Sequence, residues 1–387
     1  MIRHRLLAAF GVGCLFFAAS CGGESDPSEV AAEVWSVDSA PWVSIGLSDA
    51  ENLDAAFARI TGATRLPDGR ILVADVGETP LKLFDLAGVL VRRVARKGQG
   101  PQEIEFPARL FRCGDLVYTY DIEGRRVLQW SLQGEFQREL RFPMPASQGA
   151  PYASACNLTG RFVHLGWGQL GIPVAGYHRD TVPAWTTAAA DSVPVVFDSI
   201  PSSERWGQTH EGRIVGSMPL PFGKQPHVGV GADFIAVATG DPEGVRLYGL
   251  DGRRRGRIIL TDSAPPVTPE DVRLLIEREV IELGETYRRG VEREYSGVEF
   301  PKTKSNVSAL VVDSEGLIWI RPPAAAGAGS VTWQVFDPSG APRATLSLPE
   351  PLEVFEIGVD YILGRELDAS AGVPLLRQYR LRRAALR

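Results

Sequence analysis

The chain has 387 residues and a formal charge of −6, with charged and apolar fractions of 23% and 44% that are those of an ordinary globular protein. It is long enough to bury a large core, as one big domain or two smaller ones. The acidic balance argues against a nucleic-acid surface, which needs clustered Lys and Arg, and the only tight basic run, Arg253-Arg254-Arg255, follows Asp251-Gly252 and reads as a solvated turn.

Met1-Ile2-Arg3-His4-Arg5 is a short basic leader, and Leu6 to Ala19 is an uncharged apolar run. The run is too short for a stable transmembrane helix and has the build of an export signal. It ends in Ala18-Ala19-Ser20-Cys21-Gly22, which resembles the lipobox of bacterial lipoproteins, with Ala18 where Leu is usual. That resemblance implies a signal peptide over 1–20, lipidation of Cys21 as the first mature residue, and a membrane-anchored chain facing the periplasm or cell surface. Plain secretion with a free N-terminal cysteine is the other reading. Residues 21–33, with their polar "GGESDPSE", suit a flexible tether, and 34–387 a folded body.

The body opens on "VWSVDSAPWVSIG" (34–46), a strand-like segment with no repeat of its own. Six short apolar strands follow, at 70–75, 116–121, 161–167, 234–241, 317–322 and 361–367, most of them after a Gly/Asp turn such as Pro67-Asp68-Gly69. Four units then carry a turn of one aromatic residue, three others and a glycine, beginning at Phe84, Trp130, Tyr248 and Phe336. The first two turns are 46 residues apart, a repeat length that means stacked small sheets, each too small to hide both faces alone. The last unit has only three strands. The orphan strand at 34–46 can complete it, which would remove an exposed edge and close the set into a ring.

These residues resemble the six-bladed β-propellers of the NHL/TolB-like kind, in particular exported bacterial propeller lipoproteins. The resemblance covers essentially all of the mature chain and is carried by "LPDGRILVAD", "LKLFDLAG", the "GQGPQE-EF" element and, later, "VVDSEGLIWI". It implies an all-β fold of six four-stranded antiparallel blades closed by the N-terminal strand, with ligands in the central channel or on the loop face. The third unit departs from the pattern, having no aromatic–Gly turn between Trp167 and Val195.

Residues 268–290 do not fit a strand. Thr268-Pro269-Glu270-Asp271 is a helix start, and Val272, Leu275, Ile276, Val280, Leu283 and Tyr287 fall on one helical face. This predicts an amphipathic helix inserted between the fourth and fifth units, either a packed lid at one end of the ring or a partner-binding surface.

Catalytic signatures are scarce: the chain holds no GxSxG elbow, HExxH motif or P-loop lysine. "RKGQGPQEIEFP" (96–107) has two closely spaced glycines, yet no helix begins after it, so it reads as the crossing from the first unit to the second. Glu103 there either caps free backbone N–H groups or faces a ligand on the loop surface. His227 and Asn306 stand near the starts of inner strands, as possible channel ligands or as hydrogen-bonded strand-end residues, and His164 reads as packed between blades. Cys113 and Cys156 end the inner strands of neighbouring units, as a disulfide between blades or as two free thiols. No cofactor is predicted, although a channel calcium or other divalent ion would be compatible with related propellers. The expected function is a non-enzymatic binding or scaffold module for a protein, peptide or glycan. The alternative is a metal-dependent hydrolase or lyase of the lactonase kind, resting on fold analogy.

Overall fold

The computed structural model describes residues 32–46, 55–142, 144–145, 151–166, 174–368 and 372–383. The leader, Cys21 and most of the tether lie outside the described residues. Among those described, no helix is long and apolar enough to cross a membrane.

Among the described residues the chain is all-β, with one helical insertion. Six antiparallel sheets run in sequence order over 60–97, 107–140, 151–201, 227–258, 309–349 and 353–382, and are called here the first to sixth sheets. Their opening strands are Ile60–Arg65, Pro107–Cys113, Pro151–Cys156, His227–Val230, Ala309–Val312 and Glu353–Ile357. Each opening strand touches the next, and Glu353–Ile357 touches Ile60–Arg65 again.

The burial gradient across each sheet follows from its residues. The second strands, such as Ile71–Asp75 and Phe234–Ala238, are short unbroken apolar runs and are buried on both faces. Outer strands are charged: Leu90–Lys97 exposes Arg92, Arg93 and Arg96, which blunts a free edge against pairing with other chains. Between neighbouring sheets the apolar faces merge into local cores. Leu72, Leu83, Val117 and Trp130 fill the space between the first and second sheets, and Trp319, Trp333, Ile362 and Tyr379 that between the fifth and sixth. Each fully buried Leu or Val side chain contributes about 1.5–3 kcal/mol relative to exposure.

The recurring turns have a common mechanism. At Phe84-Asp85-Leu86-Ala87-Gly88 the Gly88 N–H donates to the Asp85 carbonyl at 3.1 Å, and the Asp85 carboxylate accepts from the N–H groups of Ala87 and Val89, both at 2.9 Å. Gly88 sits at φ 80°, a conformation that glycine reaches without a side-chain penalty. Asp337 and Gly340 repeat the arrangement in the fifth sheet.

The N-terminal segment is divided more finely than the sequence indicates. Ser36–Val37 and Val43–Ile45 pair antiparallel with the last strand, Pro374–Arg382, while Glu33–Val34 pairs parallel with Ala344 and Thr345 of the fifth sheet. Trp35, between the two pairings, is buried with its ring 5.6 Å from that of Trp319.

The insertion differs from the single helix expected over 268–290. Helix α1 is Pro269–Leu283 and helix α2 is Arg288–Tyr295, separated by Gly284 and a short 3-10 turn. The start is as its residues dictate: Asp271 N–H donates to the Thr268 hydroxyl at 3.2 Å, and Thr268 N–H donates back to the Asp271 carboxylate at 2.9 Å. Because α1 stops at Gly284, Tyr287 falls out of phase with the apolar face and is 61% exposed; Leu283, in the last turn, is 55% exposed. Leu275 and Val280 instead form a core with Val291 and Tyr295 of α2, against which Met218 and Phe222 pack.

Met218 belongs to a three-stranded sheet that the repeat pattern does not announce, formed by Gly176–His178, Arg205–His210 and Arg213–Pro219. It explains the irregular third unit, since Gly176–His178 leaves the third sheet to pair with Arg205–Gly207. Two insertions from different places in the chain therefore share one small core.

Candidate functional site

The functional features gather at the end of the sheets where the opening strands begin. Two aspartates shape the approach to these strands. Asp75, at the end of the second strand of the first sheet, accepts the N–H groups of Ala58 at 3.0 Å and Arg59 at 2.8 Å, with the Lys82 ammonium 3.3 Å away. Asp121, its counterpart in the second sheet, accepts from Glu105 at 3.2 Å and Phe106 at 3.0 Å and is balanced by Arg126 Nε at 3.2 Å. These buried, paired carboxylates hold Arg59 and Phe106 in place by their main chains.

Residues 96–107 form a cradle of the opposite polarity to a phosphate loop. The Arg126 guanidinium, buried at 6% exposure, donates to the carbonyls of Gly98, Gln99, Gly100 and Glu103 at 2.9–3.4 Å. The loop thus turns four of its carbonyls towards a cation. The Glu103 carboxylate accepts from Gly100 N–H at 2.8 Å and from Arg96 Nε at 2.7 Å, and these two bonds hold it below the usual carboxylate range. Gly98 sits at φ 148°, where a side chain would be strained, and a Cβ there would also lie 2.2 Å from Glu103 Oε2. Glu103 is engaged within its own loop.

A cavity of about 290 Å³ opens where the first, second, third and sixth sheets begin. Arg59 and Arg109 line it, together with Phe106, Tyr120 and the ion pair of Arg365 and Glu353 at 2.6 Å. Arg365 also donates to the Ile60 carbonyl at 2.8 Å, and the Arg59 guanidinium rests over the Phe106 ring at 5.4 Å. Neither Arg59 nor Arg109 has an acidic side chain within ion-pair distance among the described residues.

A second cavity, of about 460 Å³, lies beside α1 and is lined by His227, Leu275, Arg278, the loop from Pro323 to Ala328 and two ion pairs. Lys304 is buried and bonds Asp271 at 2.5 Å and the Ala324 carbonyl at 2.5 Å, so one aspartate both caps the helix and neutralises the lysine. Burial pushes the Asp271 carboxyl up, but the bonds from Lys304 and Thr268 outweigh it and leave the group below its ordinary value. Arg321 pairs with Glu350 at 3.2 Å.

The two possible channel ligands are separated. His227 opens its strand and lines the larger cavity; its half-buried ring is lowered to about 4 by desolvation, against a hydrogen bond to the Val307 backbone and with the positive charge of Arg109 adding to the effect. Asn306 precedes its strand, donates its main-chain N–H to the Gly240 carbonyl at 3.2 Å, and lines neither cavity. His164 is fully buried, with Nδ1 2.8 Å from the Ser154 hydroxyl and its ring stacked on Trp185. Cys113 and Cys156 are joined at the far ends of the second and third opening strands, with Cα atoms 5.8 Å apart. Among the described residues, no three His, Cys, Asp or Glu side chains gather within reach of one metal ion.

The arginines that line the smaller cavity were not singled out from sequence. The available signal was positional: Arg59 and Arg109 both stand at the start of an opening strand. The hairpin of the three-stranded sheet had a signal too, because Glu211-Gly212 is a two-residue turn with both residues at positive φ (49° and 71°).

No curated protein matches the chain. Solved structures with a similar fold include a candidate exported protein of Bacteroides fragilis NCTC 9343, at 13% identity and a TM-score of 0.46, covering 89% of this chain and 95% of that one. A gluconolactonase of Xanthomonas campestris is similar at 10% identity and a TM-score of 0.44, with coverage of 90% and 98%. A streptogramin B lyase is similar at 13% identity and a TM-score of 0.40, with coverage of 87% and 96%. Residues 59–157, which hold the first two sheets, the junction between them and the opening strand of the third, match the model of a family described as a 6-bladed beta-propeller, so over that stretch the resemblance read from the sequence is to that family.

Proposed function

We propose that the chain is a closed six-bladed β-propeller, exported and anchored through a lipid on Cys21, that acts as a non-enzymatic binding module for a protein, peptide or glycan. The six sheets in sequence order, the return contact from the sixth to the first and the pairing of the N-terminal segment with the last strand support the closed ring. The ligand surface is the end where the opening strands begin, roofed on one side by α1, α2 and the three-stranded sheet.

The observation that carries this reading is the chemistry of the polar groups at that end. Among the described residues, Lys304 with Asp271, Arg321 with Glu350 and Arg365 with Glu353 are already paired; the charged groups of the smaller cavity left without an ion-pair partner are the guanidiniums of Arg59 and Arg109, and the larger cavity adds a single imidazole, His227. Donors orient and hold a ligand; a lactonase-like centre instead needs several convergent lone-pair ligands for a metal.

Metal analysis of the purified chain tests the reading. The expected result is a folded protein with no stoichiometric divalent ion. One ion per chain that is lost on His227→Ala would overturn the binder in favour of the hydrolase. Cys21→Ala tests the anchor, and is expected to move the protein from the membrane fraction to the soluble fraction.

A further inference from the structure

We propose that Arg59 and Arg109 form a binding site for an oxyanion, a carboxylate or a phosphate group, at the mouth of the smaller cavity. The inference deepens the binding-module reading and rests on its placement of the ligand surface.

Two observations carry it. First, the cavity holds three arginines and one acid, and that acid, Glu353, is already taken by Arg365 at 2.6 Å. Among the described residues, two cations from different sheets therefore face one concave space without an acidic partner, in a chain whose net charge is −6. An anion in that space is attracted by both guanidiniums. Second, the two side chains are positioned rather than free. Arg59 is fixed at its main chain by Asp75 and at its guanidinium by the Phe106 ring, and Arg109 Nη1 bonds the carbonyl of Ala108 at 3.1 Å. A guanidinium with free N–H groups in a fixed fork matches the two oxygens of a carboxylate or phosphate.

The remainder of the lining indicates the company this anion keeps. Phe106 and Ile122 offer apolar contact, and Tyr120 lines the wall with a hydroxyl that makes no hydrogen bond to a described residue. A ligand bearing one acidic group beside an apolar or ring portion would use all of it. The positive field reaches further than the cavity, since Arg109 adds to the forces that keep His227 neutral.

Titration calorimetry of the full chain with inorganic phosphate and, separately, with succinate tests the proposal, with sodium chloride at matched ionic strength as the control. The expected result is saturable binding of at least one of the two anions with Kd on the order of 1 mM, weakening as salt is raised. Which of them binds more tightly names the group. Arg59→Gln and Arg109→Gln are each expected to weaken binding about tenfold or more, whereas Arg253→Gln, in an exposed turn, leaves it unchanged. Should a Gln variant fail to fold, Arg59→Lys and Arg109→Lys keep the charge and lose the fork, and are expected to weaken binding while retaining its salt dependence. Absence of saturable binding by both anions, or equal binding by the Arg59→Gln/Arg109→Gln chain, would overturn the site while leaving the binding-module reading standing. Chemical conversion of a bound acid would overturn that reading instead.

Discussion

Arg126 and the pair Arg59/Arg109 are the same residue type within neighbouring sheets, in opposite situations. Arg126 is enclosed, with four carbonyls and the carboxylates of Asp121 and Glu139 around it. Arg59 and Arg109 are exposed at the mouth of a cavity where no acid among the described residues pairs with them. A guanidinium whose donors are all used holds the fold together, and one whose donors are spare is available to a ligand. The distinction lies entirely in what surrounds the group.

The largest effect should come from opening the enclosed case. Arg126→Met leaves the fully buried Asp121 without its cation and four loop carbonyls without a donor. Removing one partner of a buried pair costs about 3–5 kcal/mol, so denaturant titration should show a loss of that size. A loss below about 1 kcal/mol, the range of a surface ion pair, would erase the contrast.

A smaller effect concerns buried against available imidazoles. His164 is buried without a charge partner, and desolvation drives it down to about 3. Its folded-state affinity for protons lies below that of the unfolded chain, so the unfolded state binds more protons and stability falls as pH drops below the unfolded value of about 6.5. The loss should approach about 1 kcal/mol per pH unit between pH 6 and 4. His164→Phe should flatten that slope in a comparison of unfolding midpoints at pH 7 and 5. An unchanged slope would assign the acid sensitivity to His227 or to the carboxylates.

The smallest effect belongs to the open case. Arg59→Gln and Arg109→Gln should each shift stability by no more than about 0.5 kcal/mol in the absence of anion, as surface substitutions do. A thermal melt showing a loss comparable to that of Arg126→Met would mean that these residues serve the fold too.

Much of the strand layout was legible in sequence. "RILVAD", "LVYTYD" and "FIAVATGD" are short continuous apolar runs ended by glycine or acidic turns, and a segment of that kind has few places to go other than the middle of a small sheet. The turns at Gly88 and Gly340 were readable because a positive φ selects glycine locally. The three-stranded sheet was harder, since Arg205–His210 and Arg213–Pro219 carry little apolar alternation and earn their place by packing Met218 against α1 and α2. The helix start at Thr268 was written in its cap, but the break at Gly284 was lost inside an apparently continuous amphipathic pattern.

The sequence by itself determined the elements whose causes are local: strands from apolar runs, turns from aspartate and glycine, a helix start from a hydroxyl and an acid three residues on. Only the tertiary structure decided which polar groups are spent and which are free. Arg126 meets Asp121 across a hairpin of one sheet, but it meets the carbonyls of residues 98–103 only because the junction between two sheets packs against that hairpin, and Arg59 and Arg109 line one cavity because their strands lie side by side. Composition cannot register such pairings. An arginine's chemistry is fixed, but its partners are set by contacts between residues that the chain places far apart.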